Sequence, residues 1–227
     1  MALEIINSPL YLDANMQGYW RLEADGTDSS GKNNTMGLGN APDYVAGKFG
    51  NGAEFTLANT DYLTLADASA TGLEITGSRT VSAWMKPDAT GKFGTIFAHD
   101  DGTNGWIIYQ NDTNFQLLIR GLTTNTLVNT PSTIVGGQWY HVVGVYDSTN
   151  TKLKIWMNGV KTEVTASGSS ANSAADFSIG ARDKGAAVDL YADGIIDDVA
   201  VWDRALTDAE VTNIYAGVSL AKVMFIS

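Results

Sequence analysis

Residues 194–217, GIIDDVAVWDRALTDAEVTNIYAG, combine a strand, a turn and a short helix near the C-terminus. Val199 and Val201 alternate with polar, small and aromatic residues, which is the period-two pattern of a strand that buries one face. Thr207 and Glu210 have the spacing of a capping box, in which each side chain accepts the other residue's free backbone N–H. The segment therefore predicts a buried final strand followed by one short C-terminal helix.

The rest of the chain reads as many short strands separated by turn residues. Runs of β-branched and aromatic residues recur between Gly, Asn and Asp. Asn158-Gly159 predicts a two-residue hairpin turn, since both central positions of that turn need positive φ. We expect strands near residues 17–22, 52–57, 61–66, 79–86, 94–99, 105–110, 114–120, 138–146, 152–157, 160–165, 176–181 and 189–203. The pattern predicts an all-β fold, a two-sheet antiparallel jelly-roll β-sandwich with one short C-terminal helix.

Size and composition suit one large sandwich. The 227 residues fall within the range of single all-β domains, and a hydrophobic content of 44% supplies an ample core. The 24 glycines and 4 prolines fit many tight turns, and no cysteine is present to staple the fold. We therefore expect a single domain over residues 1–227.

The charge balance excludes some partners. The net charge of −11 argues against nucleic acid, because phosphate binding needs clustered Lys and Arg. Asp outnumbers Glu 19 to 6, a bias that suits turns and oxygen-ligand metal sites. No apolar run is long enough to span a bilayer, so we predict no membrane span.

Five further segments occur in an order that matches a known family. They are GYWRLEADGTDSSGKNNT (18–35), GKFGNGAEFTLANTDYLTLA (47–66), RTVSAWMKPD (79–88), GQWYHVVGVYD (137–147) and LKIWMNGVK (153–161). With the closing strand and helix they cover about residues 17–217 and resemble laminin-G-like jelly-roll domains, part of the concanavalin A-like lectin/glucanase superfamily. The fold of that superfamily carries glycan binding, adhesion, structural and catalytic roles.

The resemblance implies a binding module rather than an enzyme. We expect non-catalytic recognition or adhesion at a surface, with a cell-surface or extracellular glycan as partner. A structural decoration or assembly protein of a virion, without a glycan ligand, is the second hypothesis, and a glycoside hydrolase is the third. Glycan-array binding would favour the first, oligomerisation through the termini the second and polysaccharide turnover the third.

Catalytic residues are not expected. The superfamily's glucanases place a Glu-x-Asp-x-x-Glu set on one strand, so that nucleophile and acid/base share a face. The nearest match runs from Glu23 to Asp28, ends in Asp rather than Glu, and is interrupted by Gly26. His141 alternates with valines in a predicted strand, so we expect it to be a packed or hydrogen-bonded core group.

An Asp- and Asn-rich loop after the first strand is a candidate calcium site. Calcium takes six to eight oxygen ligands, which such loops supply. In calcium-binding laminin-G-like domains, the resemblance implies, this loop approaches the final strand. The expected ligands are Asp28 and Asp197, with Asn33 and Asp198 in second rank. The alternative is that Asp28 forms an Asx turn, and that Asp197 accepts backbone N–H bonds or pairs with Arg204.

Four aromatic residues are candidates for stacking on the apolar face of a sugar ring. Trp84 and Trp156 alternate with core residues and share a face with polar neighbours, so we expect both to look outward. Trp106 and Tyr109 flank an Asp-rich loop. The alternative is that these rings fill the core or seal its edge.

Residues 1–12 and 218–227 lie outside the family resemblance and are apolar for tails. We expect them to pair as an extra edge strand, or to mediate self-association or contact with a capsid or tail protein. The N-terminus does not read as a secretory signal. We therefore expect a virion or extracellular surface location reached by another route, such as release in a phage particle, or else a fragment with an added Met.

Overall fold

The computed structural model describes residues 4–5, 8–124 and 126–216. In these residues two antiparallel sheets pack face to face, as expected for a jelly-roll sandwich. The strands are β1 (Met16–Trp20), β2 (Gly37–Asn40), β3 (Asp43–Ala46), β4 (Asn51–Phe55), β5 (Tyr62–Leu65), β6 (Arg79–Pro87), β7 (Lys92–Asp100), β8 (Gly105–Asp112), β9 (Asn114–Ile119), β10 (Leu127–Asn129), β11 (Tyr140–Asp147), β12 (Lys152–Met157), β13 (Val160–Thr165), β14 (Phe177–Ile179), β15 (Arg182–Asp183), β16 (Val188–Asp189) and β17 (Gly194–Trp202). One helix follows, α1 (Asp208–Ala216).

The eight-stranded sheet has the order β13-β12-β11-β6-β17-β4-β3, with β1 also pairing with β17. The seven-stranded sheet has the order β10-β9-β8-β7-β14-β5-β2, and β15 and β16 form a separate two-stranded ribbon. The predicted jelly-roll fold is confirmed, but β2, β3, β10 and the ribbon of β15 and β16 were not expected. Their short, partly polar sequences lack the alternation that reveals a half-buried strand.

Local signals located the turn and the helix correctly. Asn158 and Gly159 both have positive φ, 50° and 81°, as a two-residue hairpin turn requires. At the start of α1, the N–H of Thr207 donates to Glu210 Oε2 at 2.7 Å and the N–H of Glu210 donates to Thr207 Oγ1 at 3.2 Å. The capping box is therefore formed as predicted.

Alternation along the strands divides the buried side chains into two layers. Large side chains from both sheets fill the space between them, including Trp20, Phe55, Phe97, Trp106, Phe115 and Phe177. A second cluster lies on the outer face of the eight-stranded sheet, where α1 and the N-terminal segment cover it. It joins the sheet residues Val143, Val145, Trp156, Ala200 and Trp202 to Ile5, Leu10, Val211 and Ile214.

The N-terminal segment packs on its own chain. Pro9–Leu12 forms a 3-10 turn rather than an edge strand, and Ile5 and Leu10 are buried against the sheet. Among the described residues 4–5 and 8–12, none forms the edge strand that was one of the two expectations for the termini. Leu12 is 85% exposed, and residues 218–227 lie outside the described residues.

Within the described part of the chain, no helix has the length and apolar character needed to cross a membrane.

Candidate functional site

A polar cleft opens at one end of the eight-stranded sheet. It lies where the turn between β11 and β12 faces the connection from β17 to α1, and its volume is about 550 Å³. That volume falls in the range of small-molecule binding sites. Its charged and amide side chains are Asp147, Asn150, Lys154, Asp203, Arg204 and Asp208.

One wall of the cleft is held by Asp147. Its carboxylate accepts hydrogen bonds from the backbone N–H of Asn150 at 3.0 Å and from the Asn150 side-chain amide at 2.9 Å. Lys154 Nζ lies 3.4 Å from Asp147 Oδ2 and 3.9 Å from Asp208 Oδ1, so it stands between two carboxylates. Burial alone raises the pKa of Asp147, but hydrogen bonds from Asn150 and Lys154 outweigh burial and hold that pKa below its usual value.

The opposite wall is held by Arg204. Its guanidinium donates to Asp13 Oδ2 at 2.5 and 2.7 Å and to the Glu210 carboxylate at 2.6 and 3.0 Å. These charge-assisted bonds raise the pKa of Arg204, and the bond to Glu210 makes the largest contribution. Glu210 also closes the capping box, so the wall and the helix start share one anchor.

This arrangement presents hydrogen-bond groups at fixed positions. Three carboxylates, Asp147, Asp203 and Asp208, face two cations, Lys154 and Arg204, across the cleft. Carboxylates accept hydrogen bonds from hydroxyl groups, while ammonium and amide groups donate hydrogen bonds to hydroxyl oxygens. The cleft therefore suits a ligand rich in hydroxyl groups.

The cleft residues were not predicted. Its two walls come from DSTNTK (147–152) and DRALTD (203–208), both polar turn segments at strand ends. Such segments usually indicate only a turn. Their common position at one end of the sheet, which follows from the strand directions, was the signal that could have identified them.

The predicted sugar-stacking tryptophans are packed. Trp84 and Trp156 lie on the outer face of the eight-stranded sheet, as the alternation indicated, but each is only 2% exposed. Trp156 belongs to the cluster under α1, and Trp84 packs against Phe49 and Tyr215. The expectation that both look outward onto an exposed surface is therefore wrong, because other segments of the chain cover that face.

Trp106 and Tyr109 are also buried. Trp106 is 1% exposed and packs in the core beside Phe97, with ring centroids 5.2 Å apart. Tyr109 lies on the outer face of the seven-stranded sheet and donates from its hydroxyl to Gln116 Oε1 at 2.5 Å. Neither ring offers an open face for stacking.

A bulge in β17 changes the side-chain directions of the two candidate ligands there. The register with β6 shifts between Asp197 and Ala200, and Asp198 has a φ of 56°. Asp197 stands opposite Trp84 on the outer face, not on the core side with Val199 as predicted. The extra residue of the bulge reverses the alternation that the prediction assumed.

Both carboxyls of the bulge are buried and hydrogen-bonded to other segments. Asp197 Oδ2 accepts the backbone N–H groups of Lys48 and Phe49 at 2.8 and 2.9 Å. Burial raises the pKa of Asp197 to about 7 and that of Asp198 to about 8. Of the two roles considered for Asp197 besides calcium binding, the structure shows the one in which it accepts backbone N–H bonds.

Asp28 organises its own loop. Its oxygens accept the backbone N–H groups of Tyr19, Ser30 and Asn34 at 2.8 to 3.0 Å, which is the predicted Asx turn with added partners. Asn33, which was a second-rank candidate ligand, is exposed, whereas the neighbouring Asn34 is buried. The loop is linked to the final strand through β1, since Asp28 binds the backbone N–H of Tyr19 and the hydroxyl of Tyr19 donates to Asp198.

The calcium prediction gains no support from this donor set. Asp28 and Asp197 already direct oxygens at backbone N–H groups. Across residues 4–5, 8–124 and 126–216, no group of three or more His, Cys, Asp or Glu side chains is placed to hold a metal ion. Calcium binding stays a prediction from sequence.

The residues considered for catalysis have other partners. Glu23 accepts from Arg21 at 3.1 Å and from the backbone N–H of Asn51 at 2.9 Å. His141 Nε2 lies 2.9 Å from Ser82 Oγ, and burial lowers the pKa of this imidazole to about 3. The prediction that His141 is a hydrogen-bonded core group is confirmed.

Comparison with known proteins relates the chain to one superfamily. The model of the laminin G family described as "Concanavalin A-like lectin/glucanases superfamily" matches residues 57–212. No curated protein sequence matches the chain.

Solved structures share the fold. Domain 4 of AbnA, a GH43 extracellular arabinanase from Geobacillus stearothermophilus, in complex with arabinotriose, is 23% identical with a TM-score of 0.70, over 88% of this chain and 98% of that one. The binding domain of Paraclostridial Mosquitocidal Protein 1 is 16% identical with a TM-score of 0.70, over 89% and 52%. The binding domain of botulinum neurotoxin serotype D is 14% identical with a TM-score of 0.67, over 89% and 52%. The chain spans about half the length of these two toxin domains.

Proposed function

We propose that this chain, which belongs to the concanavalin A-like lectin/glucanases superfamily, is a non-catalytic carbohydrate-recognition module that binds its glycan in the polar cleft. The observation that carries the proposal is the cleft itself. A volume of about 550 Å³ accommodates a short oligosaccharide segment, and anchored polar side chains converge on it.

Similar structures support carbohydrate or receptor binding. The arabinanase domain is described in complex with arabinotriose, and the two toxin domains are described as binding domains. These likenesses show the fold alone. The proposal of carbohydrate recognition takes from them only an analogy of fold, and the cleft supplies the argument for a site.

The charge of the cleft favours a neutral glycan. Three carboxylates against two cations leave the lining acidic by one charge. An acidic sugar would bring its carboxylate close to Asp147 and Asp208, and like charges at short range repel. A neutral sugar instead satisfies both kinds of group through its hydroxyls.

The hydrogen-bonded state of Asp147 favours binding over hydrolysis. A glycosidase needs one carboxyl whose pKa is raised so that it can donate a proton. Asp147 has a lowered pKa, and the strongly raised carboxyls, Asp197 and Asp198, are buried under other segments of the chain. We therefore assign the cleft a binding role.

Chemical-shift mapping tests the proposal. The ¹⁵N-labelled protein is titrated with arabinotriose and a panel of neutral oligosaccharides. We expect at least one of them to shift the amide signals of Asn150, Asp203 and Asp208 saturably. A panel that leaves these signals unchanged at millimolar concentration would contradict the proposal.

A structural role in a virion is the second proposal from sequence. It depends on the terminal segments, and residues 218–227 lie outside the described residues. A virion or extracellular surface location and a capsid or tail partner likewise stay predictions.

A further inference from the structure

Arg79, at the start of β6, is a buried cation without a counter-ion. Its side chain is 2% exposed, and no carboxylate among the described residues forms an ion pair with its guanidinium. Its Nη1 donates to the backbone oxygen of Ile75, and its Nη2 donates to Ser170 Oγ at 2.6 Å. Both partners are neutral, although a buried charge is costly unless it is paired.

Two aromatic rings flank this guanidinium. The rings of Trp106 and Tyr146 each lie with their centroid 5.5 Å from Arg79 Cζ. The Nε–H of Arg79 and the indole Nε1–H of Trp106 are both buried, and neither has a hydrogen-bond acceptor. Unpartnered buried donors are rare, and here two occur on groups in direct contact.

The segment 166–175, ASGSSANSAA, covers this cluster and is called the cover loop below. Ser170 contributes the hydrogen bond to Arg79, and the oxygen of Gly168 accepts the hydroxyl of Tyr146 at 2.6 Å. Asn172 reaches across to Glu74 at 3.2 Å. The loop is also held by a bridge between Ser167 and Thr124 and by the hydroxyl of Ser170, which donates to the backbone oxygen of Thr76 at 3.1 Å. Opening it breaks these hydrogen bonds but exposes only small side chains.

We propose that the cluster of Arg79, Trp106 and Tyr146 is a covered binding site for a carboxylate-bearing sugar, which enters when the cover loop opens. One carboxylate would accept from the free donors of Arg79 and Trp106 and would neutralise the guanidinium. Both rings are packed while the loop is closed, so their contact with the apolar face of the sugar ring requires the loop to open.

An anion fits this site better than water alone. A water molecule can accept from the two free donors, but it leaves the charge of Arg79 uncompensated. Burial lowers the pKa of Arg79 to about 9, so the guanidinium remains charged at neutral pH. The site is separate from the polar cleft, whose acidic lining favours a neutral ligand.

Calorimetric titration with sodium glucuronate, and with glucose as the uncharged analogue, tests the proposal. The measurement is made at physiological ionic strength, where the Debye length of about 8 Å screens the net charge of the chain. We expect glucuronate to bind with one-to-one stoichiometry and at least tenfold more tightly than glucose.

Variants test whether glucuronate binds at this cluster. Ser170→Ala removes the cover-loop bond to Arg79, so glucuronate should bind several-fold more tightly; Ser169→Ala, which changes an exposed neighbour, should leave the affinity unchanged. Trp106→Phe keeps a ring but removes one free donor, so the affinity should fall about tenfold. Asp43→Asn, at an exposed carboxylate outside both sites, should have no effect.

Several results would overturn the proposal. They are the absence of glucuronate binding by both the wild type and Ser170→Ala, equal affinity for glucose, and unchanged affinity in Trp106→Phe. Near-ultraviolet circular dichroism establishes that each variant is folded. Because Ser170 and Ser169 are small loop residues, their comparison remains decisive if Trp106→Phe fails to fold.

Discussion

Ile5 and Asp198 are joined by a hydrogen bond between residues 193 positions apart: the backbone N–H of Ile5 donates to Asp198 Oδ2 at 3.0 Å. Tyr19 donates its hydroxyl to the other oxygen of the same carboxyl. The φ of 56° at Asp198 places this side chain in the bulge of β17. The central strand therefore anchors the N-terminal segment through one fully buried carboxyl.

The free energy of unfolding should depend on pH through the carboxyls of Asp197 and Asp198. Folding raises the pKa of Asp197 to about 7 and of Asp198 to about 8, from about 4 in the unfolded chain, so the folded state binds more protons. Their contribution is fully present below pH 4 and is lost as pH rises through 7 and 8. We expect Asp198→Asn, which mimics the protonated group, to flatten this decline and to be more stable at pH 9.

Urea unfolding at pH 5, 7 and 9 measures the effect. Asp43→Asn, at an exposed carboxylate without a buried partner, serves as the control and should follow the wild type. A variant Asp198→Asn with the same pH slope as the wild type would contradict the prediction.

The helix α1 should stabilise the fold by covering the outer face of the eight-stranded sheet. Ile214 is buried there beside Trp156 and Trp202. Ile214→Ala should lower the free energy of unfolding by about 2–4 kcal/mol, because it leaves a cavity. Asn213→Ala, at an exposed position of the same helix, should change it by less than about 0.5 kcal/mol. Equal losses in the two variants would show that α1 is not packed as described.

The calcium prediction has a direct measurement. An ion that binds only the folded state raises the free energy of unfolding by about 2.7 kcal/mol at a hundredfold excess over its dissociation constant. The sequence-based prediction is a higher melting temperature in calcium than in EDTA, and loss of that difference in Asp28→Ala. The same melting temperature in both solutions would refute it.

The assembly prediction concerns residues 218–227, which contain Val223, Met224, Phe225 and Ile226. If these residues contact another chain, the mass in solution should exceed the 24.2 kDa of one chain and should return to it when they are deleted. Sedimentation of the two proteins provides the masses. A monomer before and after deletion would exclude this route to assembly.

More of the fold than of the candidate site could be predicted from the sequence. Alternation located most strands, and the spacing of Thr207 and Glu210 located α1, because both are local signals. The bulge at Asp198 carries no such signal, so the direction of Asp197 was misjudged. The burial of Trp84 and Trp156 depends on α1 and other distant segments, and periodicity shows a face without showing what covers it.

The polar cleft illustrates the same limit. Asn150 and Asp208 lie in separate turns, and only the completed sheet brings these turns to one end. Each turn by itself has the composition of an ordinary solvent-exposed connection. Identifying the site therefore required the tertiary structure, whereas the sequence was enough to indicate the superfamily.

The affinity of the cleft for a neutral oligosaccharide tests the central claim most directly. Calorimetry would compare the wild type with the double variant Asn150→Ala/Asp208→Ala, and with Asp43→Ala as a charge-matched control far from the cleft. We predict at least tenfold weaker binding in the double variant, unchanged binding in the control, and a melting temperature near that of the wild type in both. Wild-type affinity in the double variant would contradict the assignment of the polar cleft as the glycan site.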